Sequence, residues 1–168
     1  MVSLRKGRYG ARLAETDDDR AAALALRARV FRGDDGTDSD AFDETCDHVM
    51  VEDVRTGTVV ACFRLLHLGS GAEIGRSYSA QFYELSALTA FRGPMVEMGR
   101  FCVDPERSDA DILRVAWAAM TAYVDAQGVE MLFGCSSFHG TEAGDYADAF
   151  ALLRDRHLAP KRWLPRIK

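Results

Sequence analysis

The stretch MVEMGRFCVD, residues 95–104, constrains the chain more than any other, because it is apolar at nearly every position yet carries Glu97 and Arg100 within it. Charges are rarely buried in a strand without a partner or a task. Side chains of a regular strand alternate between its two faces, so residues three apart point to opposite sides. Glu97 and Arg100 can therefore share one site only where the pleat is interrupted between them. Gly99 supplies a place for the interruption, since a glycine inside a strand often marks a β-bulge that frees backbone groups and re-aims side chains. The stretch reads as a bulged central strand carrying one acidic and one basic side chain.

Upstream, RYGARLAE (residues 8–15) reads as a first strand. Thr16 followed by Asp17, Asp18 and Asp19 gives an N-cap and an acidic first turn. In the helix that follows, Leu24, Arg27, Ala28 and Phe31 fall on one face, so Arg27 is turned toward the core, its stem able to cover apolar surface. Residues 33–47, GDDGTDSDAFDETCD, form an acidic loop by composition. Phe42, between Asp40 and Asp43, is an aromatic anchor that brings both carboxylates toward buried arginines. HVMVEDV and TVVACFRLLHL flank Arg55, Thr56 and Gly57 in the pattern of a β-hairpin. Arg64 alternates there with Val60, Cys62, Leu66 and Leu68, a second arginine on an apolar face.

Residues 69–94 predict loops with one short helix over 81–88. Ser108 or Asp109 begins a helix with an apolar stripe of Ile112, Val115, Ala116, Ala119, Tyr123 and Ala126, ended by Gly128. Trp117 and Met120 on that helix are expected in the core. VEMLFGCSSF then reads as a buried strand and DYADAFALLRDRH as a further helix. The order β, α, loop, β, β, β, α, β, α describes an α/β domain with a mixed sheet.

At 168 residues with 48% hydrophobic and 28% charged positions, one substantial core and a single domain are expected. A net charge of −5 argues against general nucleic-acid binding, which needs a basic surface. Cys46, Cys62, Cys102 and Cys135 stand singly without CxxC spacing, and no histidine has an i, i+4 partner, so neither a metal site nor a disulfide framework is expected. No apolar run reaches membrane-spanning length and no signal-peptide pattern opens the chain, which predicts a cytoplasmic protein. Ser136 and Ser137 lack the G-x-S-x-G elbow of a serine nucleophile. His139, just past the last strand, lies near the expected mouth of the sheet.

The spaced charges, Arg27 with Phe31, Asp40 with Asp43, Arg64 in CFRLL and Glu97 with Arg100 in VEMGRFCV, resemble the signature of acyl-homoserine lactone synthases and their relatives on the GNAT acyltransferase fold. LRARVF, FDETCDHVMV, ELSAL and GCSSFHGTE are more similar to the ornithine N-acyltransferases, and the resemblance runs from Arg8 to the C-terminus. It implies an N-acyltransferase that moves a 3-hydroxy fatty acyl group from acyl carrier protein to the α-amino group of L-ornithine, giving lyso-ornithine lipid without a metal or other cofactor. It also implies Glu97 and Arg100 as catalytic residues and Arg27, Phe31, Asp40, Asp43, Arg64, Ser136 and His139 around the substrates. Glu97 is the candidate base for the acceptor ammonium. A lactone or other N-acyl amino acid synthase, and a non-catalytic acyl-binding module, are the alternatives.

This sequence departs from the resemblance in places. The lactone synthases have a tryptophan in the loop after the first helix, where this chain has glycine and aspartate. The glycine-rich phosphate loop of CoA-binding relatives is replaced by DPERSDAD, residues 104–111, whose carboxylates oppose an anion cradle and favour a carrier-protein donor. GNAT domains usually add two strands after the last helix, so a sheet lacking them, as in a piece of a longer chain, is expected. The tail KRWLPRIK, residues 161–168, mixes four cations with a tryptophan and two aliphatics, a composition suited to the acidic face of acyl carrier protein or to peripheral contact with an anionic membrane.

Overall fold

The alternating runs on either side of Gly57, which turns with a φ of 71°, pair as a hairpin and form the middle of the sheet. The computed structural model describes residues 3–168. Its strands are β1 (Ser3–Lys6), β2 (Tyr9–Leu13), β3 (Asp47–Asp53), β4 (Thr58–Leu68), β5 (Tyr83–Glu84), β6 (Met95–Val103), β7 (Met131–Phe133) and β8 (Arg166–Ile167). The α-helices are α1 (Asp17–Arg27), α2 (Ala110–Gln127) and α3 (Ala147–Arg156). Six strands lie in the order β1-β2-β3-β4-β6-β7, antiparallel as far as β6 and parallel between β6 and β7. The parallel step follows from α2, a crossover long enough to return the chain to the same end of the sheet.

Two layers of helix cover this mixed sheet. Ile112, Val115, Ala116, Ala119 and Tyr123 of α2 pack on Val49, Val51, Ala61, Phe63 and Leu65, while Ala23 and Leu26 of α1 pack on Met50, Cys62 and Cys102 from the other side. Helix α1 starts on a capping box in which the Thr16 hydroxyl accepts from the Asp19 amide at 3.1 Å and the Asp19 carboxylate accepts from the Thr16 amide at 3.2 Å. It runs on through a π-helical turn, Ala28–Arg32, closed by Gly33 in the left-handed region. That widened turn swings Phe31 out of the α1 core face and leaves it 44% exposed.

Several elements differ from the sequence expectation. The strand β1, which extends the sheet by pairing with β2, was not foreseen in the polar run before Arg8. Instead of a helix over 81–88, residues 69–94 fold into the 3-10 turns Gly71–Arg76, Ser79–Gln81 and Ser86–Ala90 with the short β5 between them. Side chains there bond their own backbone: Ser70 Oγ accepts from the Ala72 amide, Ser77 Oγ donates to Ile74 O and Glu84 accepts from the Ser86 amide. Such local bonds compete with helix propagation. The buried strand expected in VEMLFGCSSF is only three residues long, at the sheet edge and partly exposed. The tail forms β8, which pairs with β5 in a separate two-stranded sheet, and Trp163 meets Phe91 edge-on at 5.5 Å. No helix among the described residues is long and apolar enough to cross a membrane.

β7 stops pairing with β6 after Glu97 and Phe133, and the chain there passes so close to its neighbour that a Cβ on Gly134 would lie 2.2 Å from Met98 O. Gly134→Ala is therefore expected to push the two strands apart and lower stability by about 2 kcal/mol or more, read as a fall in Tm. Gly144→Ala, whose Cβ would meet nothing within 4 Å, serves as the control and should melt like the parent.

Candidate active site

The bulge lies in β6. Arg64 pairs with Gly99 and Cys62 with Cys102, so Phe63 alone faces both Arg100 and Phe101. Arg100 has a φ of 54°, the only non-glycine residue in the left-handed region among those described. Such a backbone is strained by about 1–3 kcal/mol and is held by its surroundings. The interruption thus falls on Arg100 rather than on Gly99. A Cβ at Gly99 would sit 3.6 Å from Arg64 Nε, an ordinary contact, so the space around Gly99 does not require glycine.

With the pleat broken, Glu97 and Arg100 line one cavity of about 430 Å³ together with Arg64, Phe31, Phe101 and Trp117. Its lining is part charged and part aromatic. Phe101 stacks between Phe63 and Trp117 at centroid distances of 5.6 and 6.1 Å, and Trp117, expected in the core, is instead 49% exposed. It sits on the α2 flank beside the bulge, where no strand covers it. Tyr78 meets two guanidinium groups, with Arg64 and Arg100 each 5.8 Å from its ring centre. Arg100 also lies over Phe31 at 5.7 Å.

Behind the cavity the acidic loop closes over three arginines. Arg27, 1% exposed, donates from Nη1 to Asp43 Oδ1 at 2.6 Å and from Nε to Asp38 Oδ2 at 2.9 Å. Arg64 donates from Nη1 to both Asp40 and Asp43 and from Nη2 to Asp40 Oδ2 at 3.0 Å. Arg100 reaches Asp40 Oδ2 from Nη2 at 3.4 Å, while its buried Nε has no hydrogen-bond partner. The pairing of Asp38, Asp40 and Asp43 with Arg27, Arg64 and Arg100 balances the buried charge, as interior ions require. The loop's own 3-10 turn, Ala41–Glu44, is set by Asp40 and Asp43 through a second capping box.

This network makes the fold sensitive to acid. Burial pushes the Asp43 carboxyl up, but bonds from Arg27, the Asp40 amide and Arg64 outweigh it and hold the group at about 2. Burial likewise opposes ionisation of Asp40, and Arg64 overcomes it and holds the group below the ordinary carboxylate range. Burial lowers His48, whose Nε2 lies 3.1 Å from Asp43 O. All three groups have depressed values in the folded state, so their contributions are complete above the unfolded values and vanish as pH falls through the folded ones. Stability is expected to hold above pH ~7, to fall slightly as His48 is forced to charge below pH ~6.5, and to fall steeply below pH ~4 as the aspartates protonate. Denaturant unfolding across pH 2–8 checks this order.

Glu97, 4% exposed, is held by the 3-10 turn opposite. Its Oε2 accepts from the Tyr78 amide at 2.7 Å, and its Oε1 accepts from the Ser79 amide at 2.7 Å and from the Ser79 hydroxyl. A carboxylate has about four acceptor positions, so one remains, on Oε2. The arrangement can hold a negative charge ready to take a proton, beside guanidinium groups suited to a carboxylate and aromatic rings suited to an alkyl chain.

Of the site residues expected from the sequence, Phe31, Arg64, Glu97, Arg100 and Ser136 line this cavity, as does the anchor Phe42. Arg27, Asp40 and Asp43 are not among its lining residues and stand in the ion network behind it. His139 is exposed away from the cavity, its carbonyl accepting from Tyr146 Oη at 2.9 Å. Sequence reasoning missed Asp38, Tyr78, Ser79 and Cys135. Tyr78 and Ser79 sit in a segment without periodicity, and the one available signal was the run of serines and aromatics just before the central strand.

Residues 24–118 match the family described as an acetyltransferase (GNAT) domain. The L-ornithine N(alpha)-acyltransferase of Rhodobacter capsulatus is 34% identical over 176 residues, covering 95% of this chain and 68% of that protein. The L-ornithine N(alpha)-acyltransferase of Brucella abortus is 30% identical over 178 residues, covering 94% and 63%. The chain thus spans about two thirds of the length of these relatives. The acyl-homoserine lactone synthase LasI superposes with a TM-score of 0.57 at 15% identity, covering 94% of this chain and 86% of that one, and shares the fold. A bulged central strand in a mixed sheet, a charged and aromatic cavity at the bulge and these likenesses agree: the chain belongs to the GNAT acyltransferases, among the relatives of the L-ornithine N(alpha)-acyltransferases.

Proposed function

We propose that this N-acyltransferase moves a 3-hydroxy fatty acyl group from acyl carrier protein to the α-amino group of L-ornithine, forming lyso-ornithine lipid. The observation that carries the reading is the mixed lining of the cavity at the bulge, where Glu97, Arg64 and Arg100, the last over Phe31, share the space with an aromatic wall of Phe101 stacked on Trp117. In this reading the acceptor's carboxylate faces Arg100, its α-ammonium gives a proton to Glu97 Oε2, and the freed amine attacks the thioester carbon. The acyl chain lies along the aromatic wall. The acceptor follows from the two relatives, both L-ornithine N(alpha)-acyltransferases.

The donor end supports a carrier protein. The N-terminus of α2, where a phosphate cradle would need free amides, is capped by Asp109, whose Oδ1 accepts from the Asp111 amide at 2.9 Å. Asp104, in the turn before it, accepts from the Glu106 amide at 3.0 Å. These carboxylates repel a pyrophosphate. The tail cations Lys161 and Arg162 are exposed and suit the acidic face of a carrier protein.

Incubation with 3-hydroxyacyl carrier protein and a panel of amino acids, with products read by mass, tests the reading. N-acylornithine is the expected main product. An N-acylhomoserine lactone as main product would replace the acceptor assignment, and no product from any amino acid would support a silent acyl-binding module. Lys161→Glu with Arg162→Glu should raise the carrier-protein KM about tenfold at low salt and little at high salt.

A further inference from the structure

Ser79 is 4% exposed, and its hydroxyl has two neighbours, Glu97 Oε1 on one side and Cys135 Sγ, 3.1 Å away, on the other. A hydroxyl has one proton to give. With that proton donated to the Glu97 carboxylate, the Ser79 oxygen is left to accept from the Cys135 thiol. While Glu97 is ionised the three groups therefore form a chain that runs from Cys135 S–H to Ser79 O–H to Glu97, and it can run the other way once Glu97 carries a proton. Its outer end stands where two cavities meet. Cys135 and Ser136 line the cavity at the bulge and also a second one of about 240 Å³, whose walls include Leu85, Leu88 and Phe133. Both open where β6 and β7 stop pairing, beyond Glu97 and Phe133.

We infer that Ser79 and Cys135 are a proton path that returns the proton collected by Glu97 to the departing sulfur of the donor thioester. The inference rests on the proposed acyl transfer and accounts for a step that transfer leaves open. An acceptor ammonium loses two protons on becoming an amide, whereas the carrier leaves as a thiolate that needs one. Glu97 takes the first proton, and the amine nitrogen bonds to the acyl carbon. Protonation of Glu97 reverses the chain: a half-turn of the carboxyl brings the collected proton from the Oε2 side to the Ser79 oxygen, and the Ser79 hydroxyl turns to Cys135. As the carbon–sulfur bond breaks, Cys135 gives its proton to the leaving thiolate, Ser79 gives its own to Cys135, and Glu97 gives the collected proton to Ser79. The second ammonium proton goes to water. All three side chains end in their starting state, and no oxidant or second reactant is consumed. Ser79 is a positioning residue in this scheme, because it acts through its neighbours.

A dependence on leaving group distinguishes this path from a purely structural hydroxyl. An alkyl thiolate needs the proton, whereas an aryl thiolate leaves without it. With acyl-N-acetylcysteamine as donor, Ser79→Ala and Cys135→Ala are each expected to lower kcat about a hundredfold with the acceptor KM unchanged. With the acyl thiophenol ester the loss in Cys135→Ala should shrink to about twofold, and Ser79→Ala should keep only the part of its loss that comes from the missing bond to Glu97. Cys135→Ser, which keeps a group able to pass a proton, should retain most activity with both donors. Equal losses on the two donors, or full activity of Cys135→Ala on the alkyl donor, would overturn the path.

A readout without acceptor or donor separates this from the acceptor assignment. Alkylation of Cys135 by iodoacetamide, located by peptide mass, should change rate at least about threefold in Ser79→Ala at fixed pH if the thiol is tied to Ser79. An unchanged rate in a folded variant would overturn the coupling. Failure of the parent to acylate any amino acid would instead reject the ornithine reading, with the alkylation result still deciding the link between Ser79 and Cys135.

Discussion

Glu97→Gln is expected to lower kcat/KM for acyl transfer by about a hundredfold or more. The amide keeps the shape of the side chain but cannot take a proton from the acceptor. It also changes the second task of this residue. Glu97 accepts from the Tyr78 amide, the Ser79 amide and the Ser79 hydroxyl, and a glutamine turned to satisfy Ser79 sets its own N–H group against the Tyr78 amide. One unmade bond of this kind costs about 1–3 kcal/mol, so a lowered Tm with cooperative unfolding should accompany the loss of rate. A folded variant with near-parental turnover would remove Glu97 from the role of base.

Asp43→Asn should produce the largest loss of stability, about 3–5 kcal/mol by denaturant unfolding. Asp43 is 3% exposed and accepts from Arg27, Arg64 and the Asp40 amide together, so the neutral side chain leaves excess positive charge buried. The sequence suggests a direct contact between this carboxylate and the acceptor. In the structure its partners are guanidinium groups, and the expected effect moves from acceptor affinity to folding. A change of less than about 1 kcal/mol together with a raised ornithine KM would contradict this placement.

The charged residues were legible because each breaks an apolar period. Arg27 sits in a helical stripe, Arg64 in an alternating strand, and Glu97 and Arg100 in a nearly continuous apolar run, and all four are partnered around the cavity or behind it. The bulge was legible too, but its position was not. A glycine is the usual sign of left-handed backbone, and here Arg100 takes that conformation under the constraint of its packing against Phe31 and Tyr78. Helix α2 was readable from its stripe, yet Trp117 borders that stripe and is exposed because the sheet beneath it is bulged. The 69–94 segment resisted reading because its conformation is fixed by contacts distant in sequence, such as Tyr78 and Ser79 with Glu97. Within the helix expected over 81–88, the Glu84 carboxylate accepts from the Ser86 amide instead.

A crystal structure with N-(3-hydroxyacyl)-L-ornithine bound tests the central claim most directly. The amide nitrogen is expected within hydrogen-bond reach of Glu97 Oε2, about 3 Å directly or one water further, with the ornithine carboxylate on Arg100 and the acyl chain beside Phe101 and Trp117. Product bound elsewhere on the protein, or in this cavity with its amide turned away from Glu97, would contradict the claim that acyl transfer occurs at the bulge.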